Sequence, residues 1–192
     1  ILFLFFYTSM FSQGIKGSNT VNIPIKPKEG SIHALIIGIS DYQNYSDLDY
    51  ADKDAIAFRN LLLSDAFKAD SSKIVLLLNE NATANKIEEA LANLVSFVKE
   101  GDKVFLHFSG HGGVEKLNTI RRGSLLTWES SSANLRMSSY RIDDLNVYIG
   151  ELATANKANV YLIMDACHAG EVAEDRNSKK SNVNEYLLKI VH

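Results

Sequence analysis

Four short apolar runs alternate with helical patterns along the chain. The runs are His33–Ser40, Lys73–Leu78, Lys103–Ser109 and Asn159–Asp165. Nearly continuous apolar runs of this length predict strands that are covered on both faces. Apolar residues at helical spacing predict helices over 52–63, 83–98 and 142–152, with Thr83 as an N-cap. We therefore expect an α/β fold, a three-layer sandwich with a mostly parallel central sheet.

Composition excludes several classes of protein. The chain has 192 residues, of which 46% are hydrophobic, which suits one globular domain. Its formal net charge is −3, and without a basic surplus we expect no nucleic-acid partner. The single cysteine excludes an internal disulfide and a zinc site with several thiolates. It leaves open whether this cysteine is a buried apolar residue or a reactive thiol.

The two ends of the chain differ from its middle. Residues 1–14 are too short an apolar segment to span a membrane but suit a secretory signal peptide, with a buried strand as the alternative. Residues 15–30 contain both prolines and read as a linker. We expect a catalytic domain over 31–175, then an exposed linker and the start of a truncated element over 176–192. The expected location is periplasmic or extracellular, or cytoplasmic if residues 1–14 are not a signal.

Polar residues that can carry chemistry follow three of the predicted strands. The first strand ends in Ser40-Asp41-Tyr42, the third in the segment 109–113, and the fourth in the segment 165–170. Ligand sites of parallel sheets lie at the carboxyl ends of the strands. The only cysteine, Cys167, and the histidine His111 are therefore expected at one edge of the sheet.

A cysteine beside a histidine predicts covalent catalysis. The thiolate is the nucleophile, and His111 can take the thiol proton and later protonate a leaving amine. The glycines around His111 suggest a strained turn where backbone approaches a substrate closely. The backbone N–H groups of Gly112 and Cys167 are candidates for an oxyanion hole.

Four motifs carry a family resemblance over roughly residues 31–170. They are HALIIGISDY, LDYADKD, HFSGHGG and DACHAG. His111 also precedes Cys167 in the order found in caspases, where the histidine lies about 50 residues before the cysteine. The chain resembles the large-subunit portion of a caspase-like cysteine peptidase, in the bacterial metacaspase-like branch. The resemblance implies the caspase–haemoglobinase fold, His111 as general base, Cys167 as nucleophile, and a small-subunit portion that this chain lacks.

Asp165 stands where caspases proper have glutamine. Because a strand has a period of two, we expect Asp165 and Cys167 to leave the sheet on the same side. The resemblance to metacaspases places Asp54 beside Asp165 in the primary substrate pocket. Two carboxylates there predict protein or peptide substrates with Arg or Lys before the cleaved bond. The alternative is that Asp165 only orients the loop that holds Cys167.

The remaining candidates have simpler interpretations. We expect His107 to be a core histidine with satisfied hydrogen bonds, and His168 to be structural. Adjacent Cys167 and His168 do not make a tetrahedral metal site, so no metal or other cofactor is expected. Residues 114–122 lack a dense acidic run, which gives little support to calcium activation. The glycines of 110–113 do not fit a nucleotide-binding loop.

The sequence thus predicts a cysteine endopeptidase that cleaves after Arg or Lys through a Cys167–His111 dyad. Two alternatives remain: a catalytically silent caspase-fold module for binding or assembly, and a small-molecule or nucleotide-binding α/β domain. Self-cleavage is expected after Arg176, Lys179 or Lys180, which lie in a polar segment.

Overall fold

The computed structural model describes residues 30–117, 120–168 and 189–191, with no side-chain description for 116, 117, 120, 167, 168 and 189–191. The strands are β1 (Ile32–Gly38), β2 (Ile74–Leu78), β3 (Lys103–Leu117), β4 (Ile120–Leu126), β5 (Ser139–Arg141), β6 (Asn159–His168) and β7 (Lys189–Val191). The α-helices are α1 (Ala51–Leu63), α2 (Ala84–Phe97), α3 (Leu135–Ser138) and α4 (Ile142–Thr154). The signal-like segment 1–14, most of the linker 15–30 and the basic residues of 176–180 lie outside the described residues.

The sheet is mixed, which corrects the expectation of a mostly parallel sheet. Strands β2, β1, β3 and β6 are neighbours in that order and run parallel. Antiparallel pairs join β3 to β4, β4 to β5, and β6 to β7. The parallel part comes from the four apolar runs, whereas β4 and β5 arise because β3 continues into a hairpin. The three-layer α/β arrangement is confirmed.

Helices cover both faces of the parallel strands. On one face, Ala55 and Leu62 of α1 pack on Ala34 and Ile36 of β1, with Phe58 at the edge of this cluster. On the other face, buried side chains of α2 and α4 share one cluster with the opposite side chains of β1, β3 and β6. The alternation of apolar residues along each strand supplies both faces. No helix among the described residues is long and apolar enough to cross a membrane.

Close backbone contact fixes how α1 sits at the carboxyl end of β1. A Cβ added at Gly38, the last residue of β1, would lie 2.5 Å from the carbonyl oxygen of Ala51 and 2.5 Å from the Cβ of Ala55. Only glycine therefore fits between the strand and the first turns of the helix. This packing brings the amino end of α1, which carries Asp54, to the edge of the sheet where β1 and β3 lead into the candidate site.

Candidate active site

His111 and Cys167 lie opposite each other on neighbouring strands. The parallel register pairs Ser109 with Asp165, Gly110 with Ala166, and His111 with Cys167. The strand β6 extends through Cys167 to His168, so the cysteine has a definite register position. The structure thereby brings together the backbones of the two residues that the sequence predicts as a catalytic pair.

One nitrogen of the His111 ring is held by a backbone carbonyl. Nε2 lies 2.8 Å from the carbonyl oxygen of Ser46. A carbonyl oxygen can only accept, so Nε2 carries the proton and donates it to Ser46. In the neutral ring Nδ1 then has a free lone pair. This is the tautomer that a general base with Nδ1 as its acceptor requires.

The loop between β1 and α1 supplies the Ser46 carbonyl and is itself anchored. Its Gln43 N–H donates to the carbonyl oxygen of Trp128 at 3.1 Å. The side-chain amide of Asn44 donates to the carbonyl oxygens of Glu129 and Ser130, at 3.4 and 3.2 Å. These bonds join the loop to a segment more than 80 residues away. They hold the histidine's acceptor in place before any substrate binds.

The start of the same loop is fixed at the end of β1. Asn79 Oδ1 accepts from the N–H groups of Ser40 and Asp41, at 2.9 and 3.2 Å. The hydroxyl of Ser40 donates to Asp52 Oδ1 at 2.7 Å and accepts from the N–H of Asp52 at 3.0 Å. The hydrogen bond from Ser40 holds the pKa of Asp52 below its ordinary value. Asp52 thus links the loop to the first turn of α1.

Tyr42 contacts His111 through both its ring and its hydroxyl. The ring centroids are 4.9 Å apart, and the hydroxyl oxygen accepts from the backbone N–H of His111 at 2.7 Å. The Tyr42 side chain is buried, and burial raises the pKa of its hydroxyl. It therefore stays a neutral phenol over the physiological range.

Asp54 and Asp165 both lie close enough to His107 for their charges to act on its imidazole. Phe58 stacks on this ring at 4.8 Å, and Asp54 precedes Phe58 by one helical turn, so both lie on the same side of α1. Asp165 lies diagonally across the register, two residues beyond the partner of His107. Both carboxylates are exposed, and both act on the pKa of His107. Each carboxylate thus lies near His107, and their role as a substrate-binding pair stays a prediction.

The prediction that His107 is a core histidine with satisfied hydrogen bonds is wrong for one of its two ring nitrogens. The ring is 8% exposed and forms a hydrogen bond to the backbone of Ile37, yet its Nδ1 has no partner among the described residues. The stacked ring of Phe58 covers it without offering a polar group. Burial lowers the pKa of His107, while the charges of Asp54 and Asp165 act in the opposite direction.

The glycines around His111 do not form the strained turn that their sequence suggests. The segment 110–113 belongs to β3, which runs on to Leu117 and pairs with β4 from Gly112 onward. Among the described glycines, only Gly101 has a positive φ. Small size is what matters instead, since a Cβ at Gly110 would lie 2.5 Å from the hydroxyl oxygen of Tyr42.

The remaining predictions for the site concern the oxyanion hole, His168 and metal binding. Gly112 and Cys167 lie on paired strands one register step apart, and their role as an oxyanion hole stays a prediction. The backbone of His168 pairs with Gly112. In the part of the chain that the structure describes, no three His, Cys, Asp or Glu residues are grouped so that they could hold a metal ion.

Sequence reasoning missed two parts of this site. Tyr42 ends the first predicted strand segment, but nothing in the sequence shows that its hydroxyl meets the backbone of residue 111. Ser46 contributes a carbonyl oxygen, which every residue has, so no side-chain signal could identify it.

The fold and this strand-end site define a class of protein. A family model described as the caspase domain matches residues 31–188, and the chain belongs to that family. Metacaspase-2 of Arabidopsis thaliana is 28% identical over 155 residues, which cover 77% of this chain and 37% of the relative. Metacaspase-1 of Eremothecium gossypii is 25% identical over 167 residues, which cover 82% of this chain and 36% of the relative. The chain thus spans little more than a third of the length of these curated relatives.

A solved structure supports the fold. The crystal structure of protein GSU0716 from Geobacter sulfurreducens matches with a TM-score of 0.59 at 19% sequence identity. The match covers 74% of this chain and 53% of that chain. Together with the family model, it agrees with the caspase-like sandwich that the four motifs predict.

Proposed function

We propose that this protein is a cysteine endopeptidase that hydrolyses peptide bonds after Arg or Lys. The observation that carries the proposal is the register of β3 and β6, which pairs His111 with Cys167. Its second support is the bond from Nε2 to Ser46, which leaves Nδ1 of His111 as the acceptor. Membership of the caspase-domain family and similarity to metacaspases agree with this chemistry.

The reaction begins with transfer of the Cys167 thiol proton to Nδ1 of His111. The thiolate attacks the carbonyl carbon of the substrate and forms a tetrahedral intermediate. The N–H groups of Gly112 and Cys167 stabilise its oxyanion. His111 returns the proton to the leaving amine as the C–N bond breaks, which gives a thioester. Water then attacks the thioester carbonyl as His111 takes a proton from it. The C–S bond breaks, the acid product leaves, and His111 returns the proton to the Cys167 thiolate.

Asp54 and Asp165 select the side chain that precedes the cleaved bond. Two carboxylates on one side of the strand end attract a cation, and a guanidinium can bind them through parallel hydrogen bonds. Lysine is accepted as a point charge. An acidic side chain meets like-charge repulsion there, so cleavage after Asp is disfavoured.

Further parts of the proposal concern residues outside the described structure. A small-subunit portion is one proposed partner of this domain. Self-cleavage after Arg176, Lys179 or Lys180 would separate the two portions. Export from the cytoplasm rests on residues 1–14 alone. The catalytically silent alternative gains no support from the comparisons, and no calcium requirement is proposed.

An active-site probe tests the proposed function. A peptide with Arg next to an acyloxymethyl ketone should label Cys167, as located by mass spectrometry of the digested protein. Labelling should be lost in Cys167→Ala and in His111→Ala. The matched control is Asn146→Ala, an exposed change on α4, which should label like the unmodified protein. Equal labelling of Cys167 with and without His111 would contradict the dyad and favour a non-catalytic module.

A further inference from the structure

The strand β3 changes partners at the candidate site. On one side it pairs in parallel with β1 up to Gly38 and Ser109, where the N–H of Ile39 donates to the carbonyl oxygen of Ser109. On the same side it pairs with β4 in an antiparallel manner from Gly112 onward. Because backbone groups alternate along a strand, Ser109, His111 and Gly113 direct their N–H and C=O groups to this side.

His111 occupies the gap between the two partners. Strand β1 has ended before it could offer the carbonyl that a parallel neighbour would supply, and the β4 pairing begins one residue later. The backbone N–H of His111 is therefore left without a strand acceptor. His111 is only partly exposed, and an N–H shielded from water without an acceptor is disfavoured, so another group is expected in this position.

Tyr42 supplies that acceptor. Its hydroxyl oxygen lies 2.7 Å from the backbone nitrogen of His111, and the side chain is only 5% exposed. The fit is close, because a Cβ at Gly110 would lie 2.5 Å from this oxygen and 3.0 Å from Phe108 Cζ. The ring of Tyr42 also lies against the imidazole, so one side chain contacts both the backbone and the ring of His111.

We propose that Tyr42 is a positioning residue for His111, whose hydroxyl replaces the missing strand partner and holds the base at its place opposite Cys167. This inference rests on the proposed function of the His111–Cys167 dyad. The hydroxyl sets the backbone position of His111, and the Ser46 carbonyl sets the direction of its ring. Together the two hydrogen bonds constrain where Nδ1 lies.

The test compares Tyr42→Phe with Tyr45→Phe in the full-length protein. Tyr45 belongs to the same loop, and its ring lies 6.4 Å from that of His111, but it is Tyr42 whose hydroxyl bonds the His111 backbone. Tyr42→Phe should lower kcat on an Arg peptide by about tenfold to a hundredfold with KM little changed. It should also raise the pH midpoint of Cys167 alkylation by iodoacetamide by about one unit, because a displaced His111 stabilises the Cys167 thiolate less. Tyr45→Phe should change neither quantity.

These readouts separate positioning from a merely structural role. A loss of folded molecules lowers the total rate but leaves the alkylation midpoint of the remaining molecules unchanged. An unchanged midpoint and kcat in folded Tyr42→Phe would overturn the inference while leaving the dyad intact. Hydrolysis that survives in Cys167→Ala would instead refute the proposed function itself.

Two further measurements test the inference if Tyr42→Phe fails to fold. Gly110→Ala keeps Tyr42 but pushes its hydroxyl away, and it should shift the alkylation midpoint in the same direction. Amide hydrogen exchange needs no variant: the His111 N–H should be as protected as its strand-bonded neighbours in the unmodified protein. Rapid exchange at His111 between protected neighbours would overturn the role of Tyr42.

Discussion

Asp54 and Asp165 lie around an imidazole that carries no compensating charge at neutral pH. Burial lowers the pKa of His107, and the two carboxylates oppose this effect only in part. The ring is therefore neutral at this pH. At the residue scale, the proposed preference for Arg or Lys rests on these two exposed carboxylates beside a buried neutral imidazole.

Replacing one of these carboxylates tests the acidic pair. Asp165→Asn keeps the shape of the side chain but removes its charge, so kcat/KM for Arg peptides should fall by about a hundredfold. Peptides with a neutral residue at this position should be cleaved at an unchanged rate. Steady-state rates on paired Arg and norleucine peptides measure the difference. The control is Asp143→Asn, an exposed change on α4. An equal loss on both peptides would show that Asp165 only orients the Cys167 segment.

At the scale of elements, a buried hydrogen bond between His33 and Asp102 joins the starts of β1 and β3 at the opposite end of the strands. His33 Nε2 lies 3.2 Å from Asp102 Oδ2, and both side chains are about one-tenth exposed. Burial of Asp102 would raise its pKa, but hydrogen bonds from the N–H groups of Lys99 and Ser31 and the proximity of His33 outweigh this and lower it. Burial is also the main reason why the pKa of His33 is lowered.

The contact between His33 and Asp102 predicts a loss of stability in acid. Both pKa values are lowered in the folded state, so both groups stabilise it fully above their ordinary values and lose this effect as pH falls. Asp102→Ala should lower the free energy of unfolding by about 3 kcal/mol at pH 7. The difference from the unmodified protein should shrink below about pH 4, where the unfolded carboxylate is protonated.

Denaturant unfolding at several pH values measures this difference. Glu100→Ala is the control, because its ion pair with Lys157 is exposed and should contribute little. A difference between Asp102→Ala and the unmodified protein that stays constant from pH 7 to pH 3 would contradict the assigned role.

The contact between β1 and α1 gives a second prediction for elements. Gly38→Ala puts a methyl group 2.5 Å from the Ala51 carbonyl oxygen, so α1 must move away from the strand. We expect a loss of about 1–3 kcal/mol in the free energy of unfolding. Gly150→Ala is the matched control: it lies inside α4 with open space around its Cβ position and should stabilise the protein by about 0.5–1 kcal/mol. Equal stability of both variants would show that α1 is not packed this closely.

Apolar periodicity was sufficient to predict the elements that bury side chains, but not the pairing at the site. The helix that begins after Thr83 is confirmed, since the Thr83 hydroxyl accepts from the N–H of Lys86. The continuation of β3 through 110–113 was not predicted, because glycine has low strand propensity and these residues pair through their backbones. For the same reason, the sequence does not predict β5 or the hydrogen bonds by which Asn44 anchors the loop. Such contacts depend on tertiary position, which local sequence does not encode.

In the molecule as a whole, the two ends of the parallel strands carry different groups of polar residues. The buried pair of His33 and Asp102 lies at their amino ends, and His111 lies toward the carboxyl ends with the two acids. Resemblance in four motifs predicted the family, which the model match over 31–188 confirms. The chain spans 37% and 36% of the two metacaspases, so substrates and partners of the whole protein remain proposals.

Profiling of cleavage sites tests the central claim most directly. The unmodified full-length protein and Cys167→Ala are each incubated with a peptide library in which the residue before every scissile bond varies. Mass spectrometry of the products identifies the cleaved bonds. The account predicts cleavage after Arg and Lys by the unmodified protein only, with almost none after Asp. Efficient cleavage after Asp, or cleavage after Arg that persists in Cys167→Ala, would contradict it.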